Sequence, residues 1–294
     1  MKIAFLACPD TLPGSPTRRP DAFEHDLLFA ALEQGLAGRA ELISIDWQAP
    51  LDQLTRFDAA YLGTPWDYTE HKDAFLTRLD EFEAAGVKVC NSAAVVRWNA
   101  DKLYLRELAE RGAVSIPTLW PEAPSPADLH AAFDHFGCER IVAKRRVGAG
   151  ALGQDSFTRG DAAIDQWRMD QPAMIQPFLP AIQQEGELSF IFVSGQFSHA
   201  LIKRAAGEDY RIQSLYGGTE VALAPSTDDR AAAEGIMAML PFAEPPTYAR
   251  IDMVRLDSGA LAVIEAELIE PYLYPEQGSE FAAMLAAGVL GLLP

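Results

Sequence analysis

The chain has 294 residues, 49% of them hydrophobic, and a formal net charge of −18 at neutral pH. This composition is typical of a folded protein long enough for two domains, and it excludes an intrinsically disordered chain. The negative charge argues against nucleic acid and against an anionic membrane surface as partners. A local basic pocket can still bind an anionic substrate.

The beginning of the chain, MKIAFLACPD, is too short and too soon interrupted by proline to be a signal peptide. No apolar run approaches the roughly 18 residues of a membrane-spanning helix. Cys8, Cys90 and Cys138 lie far apart and lack metal-ligand spacing, so we interpret them as reduced thiols of a cytoplasmic protein. A catalytic cysteine is the less favoured alternative.

Residues 1–98 are predicted to form an α/β domain with a largely parallel sheet. Ligands of such sheets lie beyond the carboxyl ends of the strands, which places Asp10 and the segment Trp66-Asp67-Tyr68 at a candidate substrate site. Aromatic residues that cap the core are the alternative interpretation of that segment. Strands are expected at residues 2–7, 41–45, 59–62 and 88–90, and helices at 22–36 and 69–84.

In the second predicted unit, residues 99–180, a strand at 141–144 runs directly into a glycine-rich segment. Glycine lets main-chain N–H groups approach phosphate oxygens closely, and Lys144, Arg145 and Arg146 supply positive charge beside them. The segment matches neither a Walker A motif nor GxGxxG before a helix, so a glycine-rich hairpin is an equally good interpretation of this motif alone. Because the rest of the chain is acidic, the three cations beside the glycines favour a phosphate-binding segment over a plain hairpin. Helices are predicted at 99–111 and 127–136, and an extended segment at 174–179.

The third predicted unit, residues 181–294, contains strands at 188–193 and 198–202 and helices at 226–240 and 279–293. The second strand ends at Lys203 and Arg204, and Arg211 follows in a segment of loop-like composition. Three cations in such an acidic chain indicate an anionic substrate. The apolar face of the last helix is either core, which we favour, or a contact in a homodimer; it comprises Phe281, Leu285, Val289 and Leu292.

The most informative segment is a predicted β-hairpin at residues 248–274, because acids lie within its apolar strands. Glu265 and Glu267 point to the same side of an extended strand, and Asp252 can face them across the hairpin. Carboxylate oxygens without nitrogen or sulfur ligands suit Mg²⁺. An edge hairpin with ordinary solvated acids is the alternative, and the grouping of all three acids argues against it.

Taken in order, these features resemble the ATP-grasp superfamily, in its glutathione-synthetase-like and ribosomal-S6-modification-like branch. Lys102 opens a helix, Lys144 precedes a glycine loop, MIQPFL precedes two acids, and a hairpin with three further acids follows. Within that branch, the chain is similar to the O-ureido-serine cyclo-ligases of cycloserine biosynthesis. Three segments carry this similarity: KRAAGEDYRIQSLYGG, WDY and EAELIEPYLY. The resemblance implies an N-terminal parallel α/β domain, 1–98, followed by two α+β subdomains, 99–180 and 181–294, that grip ATP.

The resemblance also implies roles for the residues that match. ATP contacts are implied for Lys102, Lys144, Gly148, Gly150, Gly153, Gln176, Phe178, Leu179 and Glu187, with Glu185 as the other candidate for the ribose. Two Mg²⁺ ions are implied at Asp252, Glu265 and Glu267. Arg250 is implied to support the transferring phosphoryl group, and Lys203, Arg204 and Arg211 to face the carboxylate or acyl phosphate of the substrate. Further substrate contacts are expected at Asp10, Trp66, Asp67, Tyr68, Tyr210, Gly217 and Gly218.

Two positions depart from the pattern of the superfamily. Gln176-Pro177 stands where an acid usually contacts the adenine amino group, which leaves that contact open. Glu265-x-Glu267 replaces the commoner Glu-x-Asn and adds a negative charge.

The implied chemistry is attack of a carboxylate on the γ-phosphate of ATP, followed by attack of a nitrogen on the acyl phosphate. The implied substrate is a small amino-acid derivative, and the attacking nitrogen belongs either to the same molecule, which then closes into a ring, or to a second molecule. Two alternatives remain open: a ligase that joins an amino acid to a peptide or to another amino acid, and a nucleotide-binding module without chemistry.

Overall fold

The computed structural model describes residues 1–148, 153–205 and 217–293, and the strands within these ranges form three sheets. The first sheet is parallel, in the order β2-β1-β3-β4. Its central strands, β1 (Lys2–Ala7) and β3 (Ala59–Thr64), are almost wholly buried because α1 (Phe23–Leu36) covers one face and α3 (Lys72–Ala84) the other. The remaining elements are β2 (Glu41–Asp46), α2 (Leu51–Leu54) and β4 (Lys88–Cys90), with short 3₁₀ turns at Pro20–Ala22 and Trp66–Thr69.

The second sheet is antiparallel, in the order β6-β5-β7. α6 (Pro126–Phe136) packs on it, beginning at a capping box of Ser125 and Asp128 and ending at Gly137 in the left-handed conformation. α4 (Ala93–Asn99) leads from the first unit into this one, whose elements are α5 (Tyr104–Glu110), β5 (Arg140–Arg145), β6 (Gln154–Thr158), α7 (Ala163–Gln166) and β7 (Ala173–Pro177).

The third sheet is antiparallel, in the order β10-β9-β8-β11-β12, and its two faces differ. One face is apolar and packs against α9, with Phe190, Ile251 and Met253 among its buried residues. The other face is apolar only at one end, where Ile191 and Val193 pack with α1 and α10. Its elements are α8 (Ala181–Gln184), β8 (Glu187–Val193), β9 (Gln196–Arg204), β10 (Thr219–Leu223), α9 (Thr227–Ala238), β11 (Tyr248–Arg255), β12 (Leu261–Glu267), a 3₁₀ turn at Pro275–Gln277 and α10 (Phe281–Leu290).

The last helix, α10, joins the third unit to the first. It packs against α1, and the two helices approach so closely at Gly35 that a Cβ atom there would overlap the main-chain oxygen of Ala282. Phe281, Leu285 and Val289 are fully buried, which confirms their interpretation as core, whereas Leu292 is 38% exposed. The homodimer stays a prediction.

The parallel first sheet and the final hairpin are confirmed, but several elements differ from the prediction. The helix predicted at 99–111 is wrong at its start, because α4 ends at Asn99 and α5 begins only at Tyr104. Between α5 and α6, Ser115 and Leu119 make only isolated bridges, to Val263 and Ile175. β6 and β10 were not predicted. The three sheets lie at residues 2–90, 140–177 and 187–267, and the unit boundaries at 98/99 and 180/181 stay predictions.

Within the described ranges, no helix is long and apolar enough to cross a membrane. The three cysteines are free thiols, and Cys8 and Cys90 are buried. Burial raises the pKa of the Cys90 thiol to about 12, so this cysteine is not a thiolate nucleophile at neutral pH.

Candidate active site

A cleft of about 570 Å³ opens where the three units meet, and most of the predicted site residues line it. These residues come from helices, strands and loops that are far apart in the sequence. The fold therefore assembles a pocket here, which is more than a groove on the surface. The predicted residues that line it are Trp66, Tyr68, Lys102, Lys144, Gly148, Gln176, Phe178, Leu179, Glu187, Lys203, Arg250, Asp252, Glu265 and Glu267.

Other predicted residues are described by the structure but do not line the cleft. Glu185 is paired with Arg255 at 3.1 Å, and Asp67 accepts hydrogen bonds from the side chains of Trp47 and Gln48, both at 2.7 Å. The rest of this group is Asp10, Gly153, Arg204, Gly217 and Gly218. Gly150, Tyr210 and Arg211 lie outside the described residues.

One end of the cleft is an apolar slot between the second and third sheets. Val142 and Ile264 line it together with Phe178, whose ring lies 3.8 Å from the guanidinium carbon of Arg140. The neighbouring Gln176 is only 4% exposed, and its amide nitrogen donates to the hydroxyl of Thr118 at 3.0 Å. Such a slot suits a planar ring such as a purine.

Beyond the slot, Lys102, just before α5, and Lys144, in β5, both project into the cleft. Lys102 donates to the carbonyl oxygen of Gly148 at 2.6 Å and lies 2.9 Å from a carboxylate oxygen of Glu265. Burial lowers the pKa of Lys144 below its ordinary value, against the raising influence of Glu265 and Glu187. A polyanion between the two lysines would stabilise their charged forms, as phosphates do.

The register of the third sheet explains why its charged residues share one face. Directly opposite residues of antiparallel strands point to the same side of a sheet. Arg250 pairs with Glu267, and Asp252 pairs with Glu265, across β11 and β12. Glu187 pairs in the same way with a lysine, Lys203, across β8 and β9. Because β11 also pairs with β8, the charged residues of all four strands converge at the open end of this face.

The charges on this face form one connected network. Lys203 lies 2.5 Å from Glu187 and 3.2 Å from Asp252, and Arg250 binds both Asp252 and Glu267. Asp252 also accepts a hydrogen bond of 2.5 Å from the hydroxyl of Ser189. Every one of these carboxylates therefore has a cation beside it.

Burial and charge pairing act against each other on the pKa values of this network. It raises the pKa of Glu267 to about 8 and that of Glu187 to about 7, despite the nearby cations. For Lys203, burial acts to lower the pKa, but the carboxylates of Asp252 and Glu187 outweigh it and the pKa rises. The cations therefore keep their charge inside the cleft.

Gly186 is the residue that lets β8 begin beside Lys203. Its φ of +111° lies in the region that favours glycine, and a Cβ atom there would overlap the main-chain oxygen of Lys203. This close approach brings Glu187 into the cleft and leaves Glu185 outside it.

Mg²⁺ fits these residues in combination with a polyanion. Among the residues that the structure describes, no group of three or more His, Cys, Asp or Glu side chains is placed to hold a metal by itself. Mg²⁺ ordinarily takes one or two carboxylates and completes its shell with water and phosphate oxygens. The side chains of Glu265 and Glu267 are each 29% exposed to the cleft and fit that role. Asp252, at 2% exposure, is held by Ser189 and the cations, and its part in metal binding stays a prediction.

The first unit closes the other end of the cleft with residues that sequence reasoning missed. The guanidinium of Arg19 lies 5.1 Å from the ring centre of Trp66 and 2.7 Å from a carboxylate oxygen of Asp21. Glu24, at the start of α1, lines the same end. The rule that ligands lie beyond strand ends could have indicated this loop, because it follows β1 directly.

Buried polar side chains hold the end of the hairpin in place, and these too were missed. The Asn99 amide donates to the carbonyl of Ala266 at 2.7 Å and accepts from the N–H of Leu268 at 2.9 Å. Asn91 and the hydroxyl of Tyr248 make similar bonds to the main chain on either side of the hairpin. Side chains of the first and second units thereby fix the main chain that carries Glu265 and Glu267.

Comparison with known proteins agrees with this construction. Residues 3–91 match the family described as the N-terminal domain of the D-cycloserine synthetase DcsG. Over 264 residues the chain is 28% identical to the cycloserine biosynthesis protein DcsG of Streptomyces lavendulae, an alignment that covers 82% of this chain and 86% of that protein.

Solved structures superpose over nearly the whole chain. The crystal structure of D-cycloserine synthetase DcsG superposes with a TM-score of 0.85 at 23% identity, over 100% of both chains. The D-alanine–D-alanine ligase of Bacillus anthracis gives a TM-score of 0.69 at 14% identity, over 99% of this chain and 96% of the other. The RimK-domain ATP-grasp protein of Sphaerobacter thermophilus gives 0.67 at 18% identity, over 99% and 100%. The chain therefore has the fold of the ATP-grasp ligases.

Proposed function

We propose that this chain is an ATP- and Mg²⁺-dependent cyclo-ligase that activates the carboxylate of O-ureido-serine, or of a near analogue, and closes the molecule into a ring. The observation that carries the proposal is the cleft itself. An apolar slot, two lysines of the second unit, a partly exposed pair of glutamates and a loop of the first unit all face one space. The match of the first unit to the DcsG N-terminal domain supports the choice of substrate.

We assign the nucleotide to the slot and the lysines. The purine would lie against Phe178 and Leu179, and the ribose hydroxyls would be held by Glu187 rather than by Glu185, which is paired with Arg255 outside the cleft. Lys102 and Lys144 would bind the phosphates. The glycine segment that is expected to cover the phosphates lies largely outside the described residues.

We assign the metal to Glu265 and Glu267, with the extra charge of this pair suited to two ions. Bound Mg²⁺ would neutralise charge on the transferring phosphoryl group. We assign the same role to Arg250, because its guanidinium contacts Asp252 on its own strand and Glu267 on the opposite strand. In the free chain these cations neutralise the carboxylates, so phosphates that draw the cations away would free carboxylate oxygens for the metal.

The chain's own residues have two tasks in the chemistry. They must place the substrate carboxylate in line with the γ-phosphate, and they must exclude water, since an acyl phosphate otherwise hydrolyses. The first unit serves both tasks, because Trp66 and Tyr68 form an aromatic wall at the substrate end and Arg19 with Asp21 offers a donor and an acceptor side by side. We place this ATP-dependent reaction in the cytoplasm.

The test is ADP release in the presence of Mg²⁺ against a panel of amino acids, dipeptides and ureido amino acids, with and without hydroxylamine. We expect ADP release that depends on the ureido acid, a hydroxamate when hydroxylamine is present, and a cyclised product when it is absent. Product mass separates the candidates: a dipeptide product would identify an amino-acid or peptide ligase instead. ATP binding without turnover on any carboxylate would refute the ligase proposal.

A further inference from the structure

Glu270 stands apart from the other carboxylates of the cleft. It lies three residues beyond Glu267, where the chain leaves β12 and turns toward the first unit. The preceding residue, Ile269, is buried with Tyr68 in the core of the first unit, and its carbonyl accepts a hydrogen bond of 2.7 Å from Tyr248. Glu270 is therefore held on a fixed segment between the metal pair and the substrate end.

The carboxylate of Glu270 has no ion-pair partner within the described part of the chain. Glu187, Asp252, Glu265 and Glu267 each lie within 4.0 Å of a lysine or arginine nitrogen. For Glu270, no described cation is that close, and the hydrogen bond it accepts comes from its own main chain. Among the described carboxylates at the end of the hairpin, Glu270 is thus the one whose oxygens remain available to a substrate.

The surroundings of Glu270 also suit proton transfer. Burial raises its pKa to about 7, with Lys102 acting to lower it and Glu265 to raise it. A carboxylate with such a pKa can take a proton at neutral pH and release it again, as a general base must. The residue lines the same cleft as Arg250, Glu265 and Glu267, and its charge acts on the Tyr68 hydroxyl of the first unit.

The proposed reaction needs a base. When the ureido nitrogen attacks the acyl phosphate, a C–N bond forms, the C–O bond to phosphate breaks, and inorganic phosphate leaves. The nitrogen must also lose its proton, or the amide product would carry a positive charge. Glu187, Asp252, Glu265 and Glu267 are each paired with a cation, and Lys203 and Arg250 keep their protons.

We propose that Glu270 is the general base of the second half-reaction, which accepts the proton of the attacking nitrogen as the ring closes. The proposal rests on the proposed function, because it assigns a residue to the acyl-transfer step of that reaction. It predicts that Glu270 contributes to ring closure and not to the formation of the acyl phosphate.

The test separates the two half-reactions in Glu270→Gln. Hydroxylamine, added in excess, attacks the acyl phosphate without a positioned base, so hydroxamate formation reports the first step alone. We expect Glu270→Gln to form hydroxamate and ADP at nearly the wild-type rate, while the cyclised product falls by about 10²–10⁴-fold. Glu270→Asp keeps the carboxylate and is expected to retain more ring closure than Glu270→Gln. Glu276→Gln, an exposed glutamate six residues further along, is the matched control and should behave as wild type.

Each outcome decides the matter. Equal loss of hydroxamate and ring product in both Glu270 variants would overturn the assignment, because the residue would then serve the first step or the fold. Wild-type ring closure in Glu270→Gln would overturn it as well. A wild-type chain that yields no hydroxamate from any carboxylate would refute the proposed function itself, which is a separate result.

Discussion

Asn99 is the side chain whose loss best tests how the cleft is built. It is 8% exposed at the end of α4, and its amide bridges two main-chain groups of the hairpin, the carbonyl of Ala266 and the N–H of Leu268. Glu267 lies between these two residues. Asn99→Ala therefore removes both bonds that fix the backbone on either side of a predicted metal ligand.

The cost follows from these two bonds. An unsatisfied buried main-chain group costs about 1–3 kcal/mol, and Asn99→Ala leaves two such groups without their partner. Allowing for partial relaxation, we expect the free energy of unfolding to fall by about 3 kcal/mol. In a protein of this size that loss corresponds to a fall in melting temperature of roughly 6–12 °C.

The assay pairs a stability measurement with an activity measurement. Thermal unfolding gives the first, and ADP release titrated with Mg²⁺ gives the second. We expect Asn99→Ala to need a higher Mg²⁺ concentration for half-maximal activity, because the backbone that carries Glu267 is less well fixed. Ser92→Ala is the matched control. Ser92 caps the other end of the same helix, and its loss should cost about 1 kcal/mol without changing the Mg²⁺ requirement.

Two results would contradict this reasoning. A loss of less than about 1 kcal/mol in Asn99→Ala would mean that the two main-chain groups find other partners. An unchanged Mg²⁺ requirement in a clearly destabilised variant would mean that Asn99 supports the fold without positioning Glu267.

Three further predictions concern a metal ligand, a glycine and two buried histidines. Glu267→Gln should lower ADP release at least about 100-fold with an unchanged melting temperature, and near-normal turnover would exclude Glu267 as a metal ligand. Gly186→Ala should cost about 1–3 kcal/mol and raise the KM for ATP, whereas Gly160→Ala, with a similar positive φ of +83° but open space around it, should affect stability alone. Burial lowers the pKa of His25 and of His199 to about 4, so the unfolded chain binds protons that the folded chain does not as the pH falls from 6.5 to 4. Stability should therefore decline over that range, by up to about 1.4 kcal/mol per pH unit for each histidine, and His25→Gln should make the decline shallower.

The sequence predicted the charged side of the cleft because the signal there is local. Two glutamates at a spacing of two must share one side of a strand, and a turn signal at residues 257–259 sets the hairpin that brings Asp252 opposite Glu265. Lysines that end strands or open helices beside glycines are recognisable for the same reason. What the sequence could not supply was the pairing of β8 with both β9 and β11, which joins the two charged pairs into one network.

The missed residues share a different property, since each acts through a partner far away in the sequence. Asn99 donates a hydrogen bond to Ala266, 167 residues further along the chain, and Asn91 donates one to Leu268, 177 residues further along. A buried asparagine at the end of a strand or helix has no periodic signature, and its role becomes visible only when the main-chain groups it satisfies are known. The same holds for Glu270. In the sequence it is one more acid after Glu265 and Glu267, and only the folded chain shows that these two are ion-paired whereas Glu270 has no ion pair among the described residues. The function of this cleft therefore depends on which charges are paired, and that property belongs to the fold rather than to any single motif.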